Sequence, residues 1–566
     1  MLTMTAMLLI HLVLSLVPTI TALPPATVQV PNAGVPGQGS SDCTAPMPAD
    51  WLPRCLAANI FVAPADNSTE LQPEIANGYI GTILHSGTVY AGGFFNGDAV
   101  GKLGPATHRA GIPHYEIALH IDEAVRDETS TGRALDVERA VFYERSRTVG
   151  GVAIEQRWYA HATRPSLLVH EVDLVNEAGA ASASVAFTTA VGSSADLALA
   201  PFNVTARDLG FDSSSVGYAM YGANKVPEDA THEGNGNHTF VAIVANAPPS
   251  APVVVAPAES RTFTFLFAIV TSLNSTAPRS DALAALRSAN DAAAADPGVL
   301  LAEHTAAWAA RARRGSLSVV GDLRLAQALN ASLYSLRSSA REDWPYGLSP
   351  GGLASDGYSG HTFWDQETWM WPPLLFLDPP TAASLLAYRH ARIEGAAAKA
   401  STCGQPNAAY CPPTFTPGSG AMRALLFPWE SAFTGVETQY VGGNIKQWGK
   451  YEQHVSGDIS FAVRQYFYAT RDLEWLKRVG YPIISGVANF YARRFSNATN
   501  SAGAKRGAMS YDTVMGPDEY ACVECISCIV LFLPPRFIRT FGHYLGPRLP
   551  EARALQLYGR LYLRLT

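Results

Sequence analysis

Three segments in the C-terminal half bring tryptophans and carboxylates together at short range. The first is Gly360-His361-Thr362-Phe363-Trp364-Asp365-Gln366-Glu367-Thr368-Trp369-Met370-Trp371-Pro372-Pro373. The second is Phe427-Pro428-Trp429-Glu430-Ser431, with Thr434-Gly435-Val436-Glu437 just after it. The third is Val514-Met515-Gly516-Pro517-Asp518-Glu519-Tyr520. A sugar presents apolar C–H faces and a rim of hydroxyls, so an aromatic platform beside a carboxylate is the combination that binds it. Hydrolysing a glycosidic bond needs, in addition, an acid that protonates the leaving oxygen. Each segment alone also has a structural reading: tryptophan in a helical domain commonly packs in the core, and an acid after Gly-Pro caps a helix. Three of them in one domain favour a carbohydrate site.

The same segments resemble glycoside hydrolase family 65, which holds acid trehalases, disaccharide phosphorylases and a hydroxylysine-linked disaccharide glucosidase. The resemblance runs from about Gly78 to Tyr520 and includes Gly93-Phe94-Phe95-Asn96-Gly97, His108-Arg109-Ala110 and Tyr388-Arg389. Trp429-Glu430-Ser431 followed by Thr434-Gly435 is most similar to the glucosidase branch and less so to the phosphorylases. The resemblance implies an N-terminal antiparallel β-sandwich, a helical linker and an (α/α)6 barrel with the site in its mouth. It also implies inversion at the anomeric carbon, with Glu519 as general acid and Trp364 and Asp365 holding the terminal glucose. Trp429 and Glu430 are expected to bind substrate too, and Glu437 is a further candidate carboxylate. No metal and no cofactor is implied.

A general acid that works near neutral or mildly acidic pH needs a pKa above the ordinary 4.3 or so of glutamate. Pro517 and Asp518 suggest a helix start, whose dipole pulls the other way, so desolvation and neighbouring acids such as Asp365 must prevail. An inverting hydrolase also needs a general base across a water molecule. The family's hydrolases place that glutamate well downstream of the acid. After Tyr520 this chain instead reads Ala521-Cys522-Val523-Glu524-Cys525-Ile526-Ser527-Cys528, and the family pattern stops. Neither Glu524 nor Glu551 can be nominated as base by spacing, so the barrel is expected to be incomplete and residues 521–566 a divergent tail. The C-x2-C-x2-C run lacks a fourth ligand at a suitable distance, and zinc is not expected.

The elements that must position these residues are of two kinds. Between about 75 and 278 the pattern is β: in Thr262–Ile269, Phe263, Phe265, Phe267 and Ile269 share one face, the period-two signature of a half-buried strand. Ser166–Val175, Ala186–Val191 and Thr239–Ala245 read alike, separated by Gly, Asn and Pro. Many short strands without intervening helices indicate an antiparallel sandwich. Residues 279–318, rich in Ala, Leu, Glu and Arg, read as a helical linker. From 319 helices take over: Ile459, Ala462, Val463 and Tyr466 fall at i, i+3, i+4, i+7, as do Ile484, Val487, Ala488 and Tyr491. The catalytic barrel is assigned to 319–520, and residues 23–74, rich in Pro, Gly and Ser, are expected to be irregular.

Composition sets outer limits. With 566 residues, 48% hydrophobic and 16% charged, the chain has ample apolar surface for several packed domains and is not a disordered polymer. Its 41 basic and 48 acidic side chains leave a net charge of −7, without the cationic footprint that nucleic-acid binding requires. Met7–Ile20 is an apolar run ending at Thr21-Ala22, which reads as a leader of residues 1–22 and is short for a membrane span. N-x-S/T sequons at Asn67, Asn203, Asn237, Asn274, Asn330 and Asn497 agree with export, as do possible Cys43–Cys55 and Cys403–Cys411 disulfides. A secreted or vacuolar/lysosomal glycoprotein with a carbohydrate or glycosylated-protein substrate, and no stable membrane association, is expected. The favoured activity is release of a terminal α-linked glucose, from glucosyl-galactosyl-hydroxylysine or alternatively trehalose. An inactive glycan-binding relative is the other class.

Overall fold

The computed structural model describes residues 43, 47–62, 73–97, 107–121, 132–205, 216–227, 238–403, 423–439, 448–494, 496–497, 509–510 and 515. Glu519, the 521–566 tail with its three cysteines, the leader and Cys411 lie outside the described residues.

The molecule is mixed α and β, and its N-terminal half is built on a nine-stranded antiparallel sheet. In spatial order the strands are Ile60–Val62, Gly132–Asp136, Val141–Arg147, Val152–Ala160, Leu167–Asn176, Ser260–Thr271, Phe240–Asn246, Val216–Asn224 and Leu197–Pro201. Two meanders therefore meet at the pair Leu167–Asn176 and Ser260–Thr271, where Val169 lies opposite Leu266 and Leu168 opposite Phe267. Side chains of successive residues point to opposite faces, so this central pair feeds two cores at once. On one face Val169, Val244, Leu266 and Ala268 pack with Ala282, Leu283, Leu286 and Ala289 of a helix. On the other, Trp158, Leu168, Phe267 and Ile269 pack with Ile75, Ile80 and Val89 of a four-stranded sheet. Beside it Val172, Leu174 and Phe265 pack with Ala183, Val185 and Val255 of a three-stranded one.

This layering corrects one expectation. Ser260–Thr271 is not half-buried: from Phe265 onward every residue is buried, because helix Pro278–Ala295 covers the face that alternation assigned to solvent. The expected linker helix is two helices, Pro278–Ala295 and Val299–Arg314, interrupted at Asp296-Pro297-Gly298. Proline cannot donate a helical hydrogen bond, and the Gly298 amide goes to the Asp296 side chain at 3.1 Å instead.

Within 23–74, expected to be irregular, Leu52–Leu56 forms a short helix and Ile60–Val62 an edge strand paired with Gly132–Asp136. Trp51, Cys55 and Ile60 are buried against Ala134 and Tyr143, which gives the segment enough apolar area to order. Cys43 and Cys55 are disulfide-bonded, and so is Cys403. The amide nitrogen of Asn330 donates to the Ala58 carbonyl at 2.9 Å, so that sequon is engaged in the fold.

The helices of the C-terminal half, among them Leu323–Ser339, Trp371–Leu377, Pro379–Ala391, Ile393–Thr402, His454–Thr470 and Tyr481–Arg494, share a single core. Trp371, Leu385, Ile459, Val463 and Val487 are fully enclosed in it. No helix among the described residues is long and apolar enough to cross a membrane.

Candidate active site

The first tryptophan segment is held from beneath by a buried ion pair. Arg389, on helix Pro379–Ala391, donates Nε and Nη2 to the two Glu367 oxygens at 2.8 and 2.9 Å, and Nη2 also to the Phe363 carbonyl. Both side chains are 1% exposed. Burial works against the charge, but the facing carboxylate more than offsets it and raises the Arg389 pKa. Gln366–Met370 is a π-helical turn, a local widening of the helix that recurs at functional sites. It directly follows Trp364 and Asp365, both half-buried at the rim of the helical core.

The second segment is tied to the first by main-chain pairing of Thr362 with Ser431, 2.8 and 3.1 Å in the two directions. The Tyr388 hydroxyl reaches the Ser431 hydroxyl and the Ala432 carbonyl. Glu437 organises the segment from inside: it accepts from Lys399 Nζ at 2.6 Å and from the backbone amides of Trp429, Glu430 and Gln439. Burial lowers the Lys399 pKa and Glu437 opposes that. The Glu437 oxygens are committed to these bonds. Its place as a site carboxylate is therefore corrected to a structural one, since a carboxylate saturated by fixed donors has none to spare for a sugar.

On this scaffold an aromatic wall forms. Trp429 stacks on Trp448 with ring centres 5.1 Å apart and planes 17° apart, and Phe363 meets Trp429 edge-on at 5.0 Å. Trp364 meets Trp369 and His454 edge-on at 5.6 and 5.2 Å. Glu430 pairs through Oε1 with His361 Nδ1 at 3.0 Å. The buried indole nitrogens of Trp429 and Trp448, and Nε2 of His361, have no hydrogen-bond partner among the described residues. Buried polar groups are nearly always satisfied, so three unpaired nitrogens in one loop cluster mark a surface suited to oxygen-bearing ligands.

His454 is the charged member of the cluster. Its Nδ1 bonds Asp458 at 2.7 Å and its Nε2 bonds Glu452 at 3.2 Å. Burial alone would lower the imidazolium, but the two carboxylates prevail and raise its pKa to about 9. Trp364, Trp429 and Glu430 thus come together in neighbouring loops, with Asp365 beside Trp364, while Glu519 lies outside the described residues. Met515, just before the Gly516-Pro517-Asp518-Glu519 motif, bonds its amide to the Tyr451 carbonyl at 2.9 Å, at the same corner as Trp448 and His454. Sequence reasoning missed His361, Trp448 and His454. Only the i, i+4 spacing of His454 and Asp458 on one helix carried a local signal. A separate cavity of about 540 Å³ lies in the β half, lined by Trp158, His170, Gln156 and Phe267 among others, and none of its polar lining groups is orphaned.

Residues 330–527 match the model of the glycosyl hydrolase family 65 central catalytic domain. The chain thus carries a central domain of the glycoside hydrolase family 65 type. It is 32% identical over 488 residues to protein-glucosylgalactosylhydroxylysine glucosidase of Dictyostelium discoideum, covering 84% of this chain and 62% of the relative. A kojibiose hydrolase of Flavobacterium johnsoniae is 36% identical over 208 residues, 37% of this chain and 27% of that one. The chain thus spans about three-fifths of the first relative's length. In three dimensions it is similar to a putative kojibiose phosphorylase from human microbiome, with a TM-score of 0.61 at 13% identity, over 89% of this chain and 66% of that one.

Proposed function

We propose that the protein removes a terminal α-linked glucose from a disaccharide unit by inverting hydrolysis, with glucosyl-galactosyl-hydroxylysine as substrate. The observation that carries this reading is the Phe363–Trp429–Trp448 wall with its unpaired indole nitrogens beside Glu430 and the Trp364–Asp365 corner. Such a surface supplies an apolar platform and hydrogen-bond donors for hydroxyl oxygens, as a glucosyl unit requires. Similarity over most of the chain to the hydroxylysine-disaccharide glucosidase favours that substrate over trehalose.

In this reading Glu519 protonates the leaving oxygen, Trp364 and Asp365 hold the glucose, and Trp429 and Glu430 bind the adjoining unit. The helices after residue 319 form the (α/α)6 barrel, and the β half forms the sandwich domain. Export through the 1–22 leader to an extracellular or vacuolar compartment is supported by the Cys43–Cys55 disulfide. A second reading, a glycan-binding relative without turnover, draws on the same aromatic wall.

One experiment separates them. The purified chain is offered glucosyl-galactosyl-hydroxylysine, kojibiose and trehalose, with and without inorganic phosphate, and the anomer of the released glucose is read by NMR. Phosphate-independent release of β-glucose, reduced about 100-fold or more in Glu519→Gln, is the expected result. Binding without release overturns hydrolysis in favour of the glycan-binding reading. Turnover only with phosphate, giving glucose 1-phosphate instead of free glucose, shows a phosphorylase.

A further inference from the structure

Two sequence motifs of the β half, Gly93–Gly97 and His108–Ala110, remain unexplained by the aromatic wall. In the structure they pair as a small ribbon, Phe95 opposite Arg109 and Asn96 opposite His108. The ribbon is anchored to the rest of the β half by four contacts. Asn224 Nδ2 donates to the Phe95 carbonyl at 3.1 Å, Val226 N to Asn96 Oδ1 at 2.9 Å, and Gly97 N to the Val226 carbonyl at 2.7 Å. His108 meets Asp196 at 2.9 Å. The other face of the ribbon meets the loop that leads into the first tryptophan segment.

Arg109 is buried there, 4% exposed. Its Nη1 donates to the carbonyls of Gly352, Leu353 and Ser355 at 2.8, 3.3 and 3.0 Å, and its Nη2 to that of Gly360 at 3.1 Å. One guanidinium thus clasps both ends of the loop. The loop needs an outside clasp: Tyr358 and Ser359 both sit in the left-handed region, with φ of 55° and 56°, which side-chain-bearing residues adopt only when their surroundings hold them there. Tyr358 is 64% exposed, and its ring meets only the edge of Phe363, at 5.8 Å, among the aromatic contacts of the described residues. Gly360 (φ 69°) follows, and a Cβ there would lie 2.6 Å from the Arg109 Cβ, so the approach admits only glycine. The next residue is His361, which pairs with Glu430 and carries the Phe95 ring at 5.8 Å.

We propose that Arg109 is a positioning residue: the β-half ribbon delivers its guanidinium to the 352–360 loop, and that clasp fixes His361, Trp364 and Asp365 in their binding arrangement. As a statement about sugar binding this rests on the function proposed above. As a statement about loop order it stands on the contacts alone. The β half is then part of the site's scaffold. Lysine cannot replace the arginine, because one ammonium nitrogen cannot reach both ends of the loop as two forked nitrogens do.

The test is amide hydrogen exchange on the full chain together with glucose binding by calorimetry. Arg109→Lys is expected to speed exchange across 349–365 about tenfold or more while leaving His454–Thr470 unchanged, and to weaken glucose about tenfold. Phe95→Leu, which keeps the guanidinium, is expected to loosen only the His361 end and serves if Arg109→Lys does not fold. Phe187→Leu, in the distant Phe187–Phe263–Phe265 cluster, controls for general destabilisation and is expected to move neither readout. Unchanged exchange at 349–365, or an increase no larger than at 454–470, overturns the proposal. If the wild type binds no glucose yet the exchange pattern appears, the functional reading fails and the clasp stands.

Discussion

On and around the large sheet, His161, His170 and His304 are buried as neutral rings. Burial pulls them to about 4, about 3 and about 3, with neighbouring imidazoles adding to the effect at His170 and His304. In the helical half His454 is also well enclosed, yet it is raised to about 9. Burial is common to all four, so burial does not decide the charge. The partners do. His170 faces Gln156 at 3.1 Å and the ring of Trp158, and His304 bonds the Ala140 carbonyl and the Ala162 amide. None of these balances a proton. His454 lies between two carboxylates that do. At His170 and His304 the β half thus excludes charge by offering no balancing carboxylate, and the helical half keeps a buried charge beside the aromatic wall by pairing it.

The strongest test of that difference is to unpair a charge in the helical half. Arg389→Met leaves Glu367 buried and unbalanced, and an expected loss of about 3–5 kcal/mol should show in urea unfolding. A loss below about 1 kcal/mol would mean the pair is solvated in solution.

Acid should then act mainly through the β half. The folded pKa values of His161, His170 and His304 lie below the unfolded value of about 6.5, so the unfolded chain binds more protons as pH falls. Their contribution is complete above pH 6.5 and is lost between there and about 3, at about 1.4 kcal/mol per pH unit for each histidine still neutral in the fold. Unfolding midpoints at pH 7 and 4.5 measure this. His170→Phe keeps the stack on Trp158 and should flatten part of the slope.

His454 carries the opposite sign. Its folded pKa is raised, so its contribution is present below pH 6.5 and disappears as pH climbs through about 9. Asp458→Asn is expected to lower the His454 titration midpoint, read by NMR, and to cost about 1.5–3 kcal/mol at pH 6. An unmoved midpoint would show that the carboxylates are not what holds the proton. The smallest effect belongs to the surface: Arg423 and Glu394 are 52% and 78% exposed, and Arg423→Ala should change stability by no more than about 0.5 kcal/mol.

Much of the fold was legible because its signals are local. Alternation located strands at Leu167–Asn176, Phe240–Asn246 and Ser260–Thr271, and the i, i+3, i+4, i+7 spacings located the helices that bury Ile459, Val463, Ile484 and Val487. What failed was any statement about the second face of an element. Nothing in Phe263–Ile269 announces that a helix covers its back, because that helix begins only at Pro278 and its docking is a long-range event. The site divides likewise. Trp364 and Trp429 were found as neighbours of acids, but Trp448 has none beside it in sequence and declares itself only by stacking on Trp429. Glu437 looked like a ligand group until Lys399 and three backbone amides were seen to occupy it.

The sequence by itself determined the likeness of residues 330–527 to the family 65 catalytic domain, the β and helical character of the two halves and the segments that bring tryptophan beside acid, since residue type, spacing and period are properties of adjacent positions. Tertiary structure alone decided that Glu437 is a strut, which histidines carry charge, and that an arginine of the β half grips the loop before Trp364. Those properties depend on burial and on partners distant in the chain: Arg109 and Gly360 are 251 residues apart, and only the packed fold brings them to 3.1 Å.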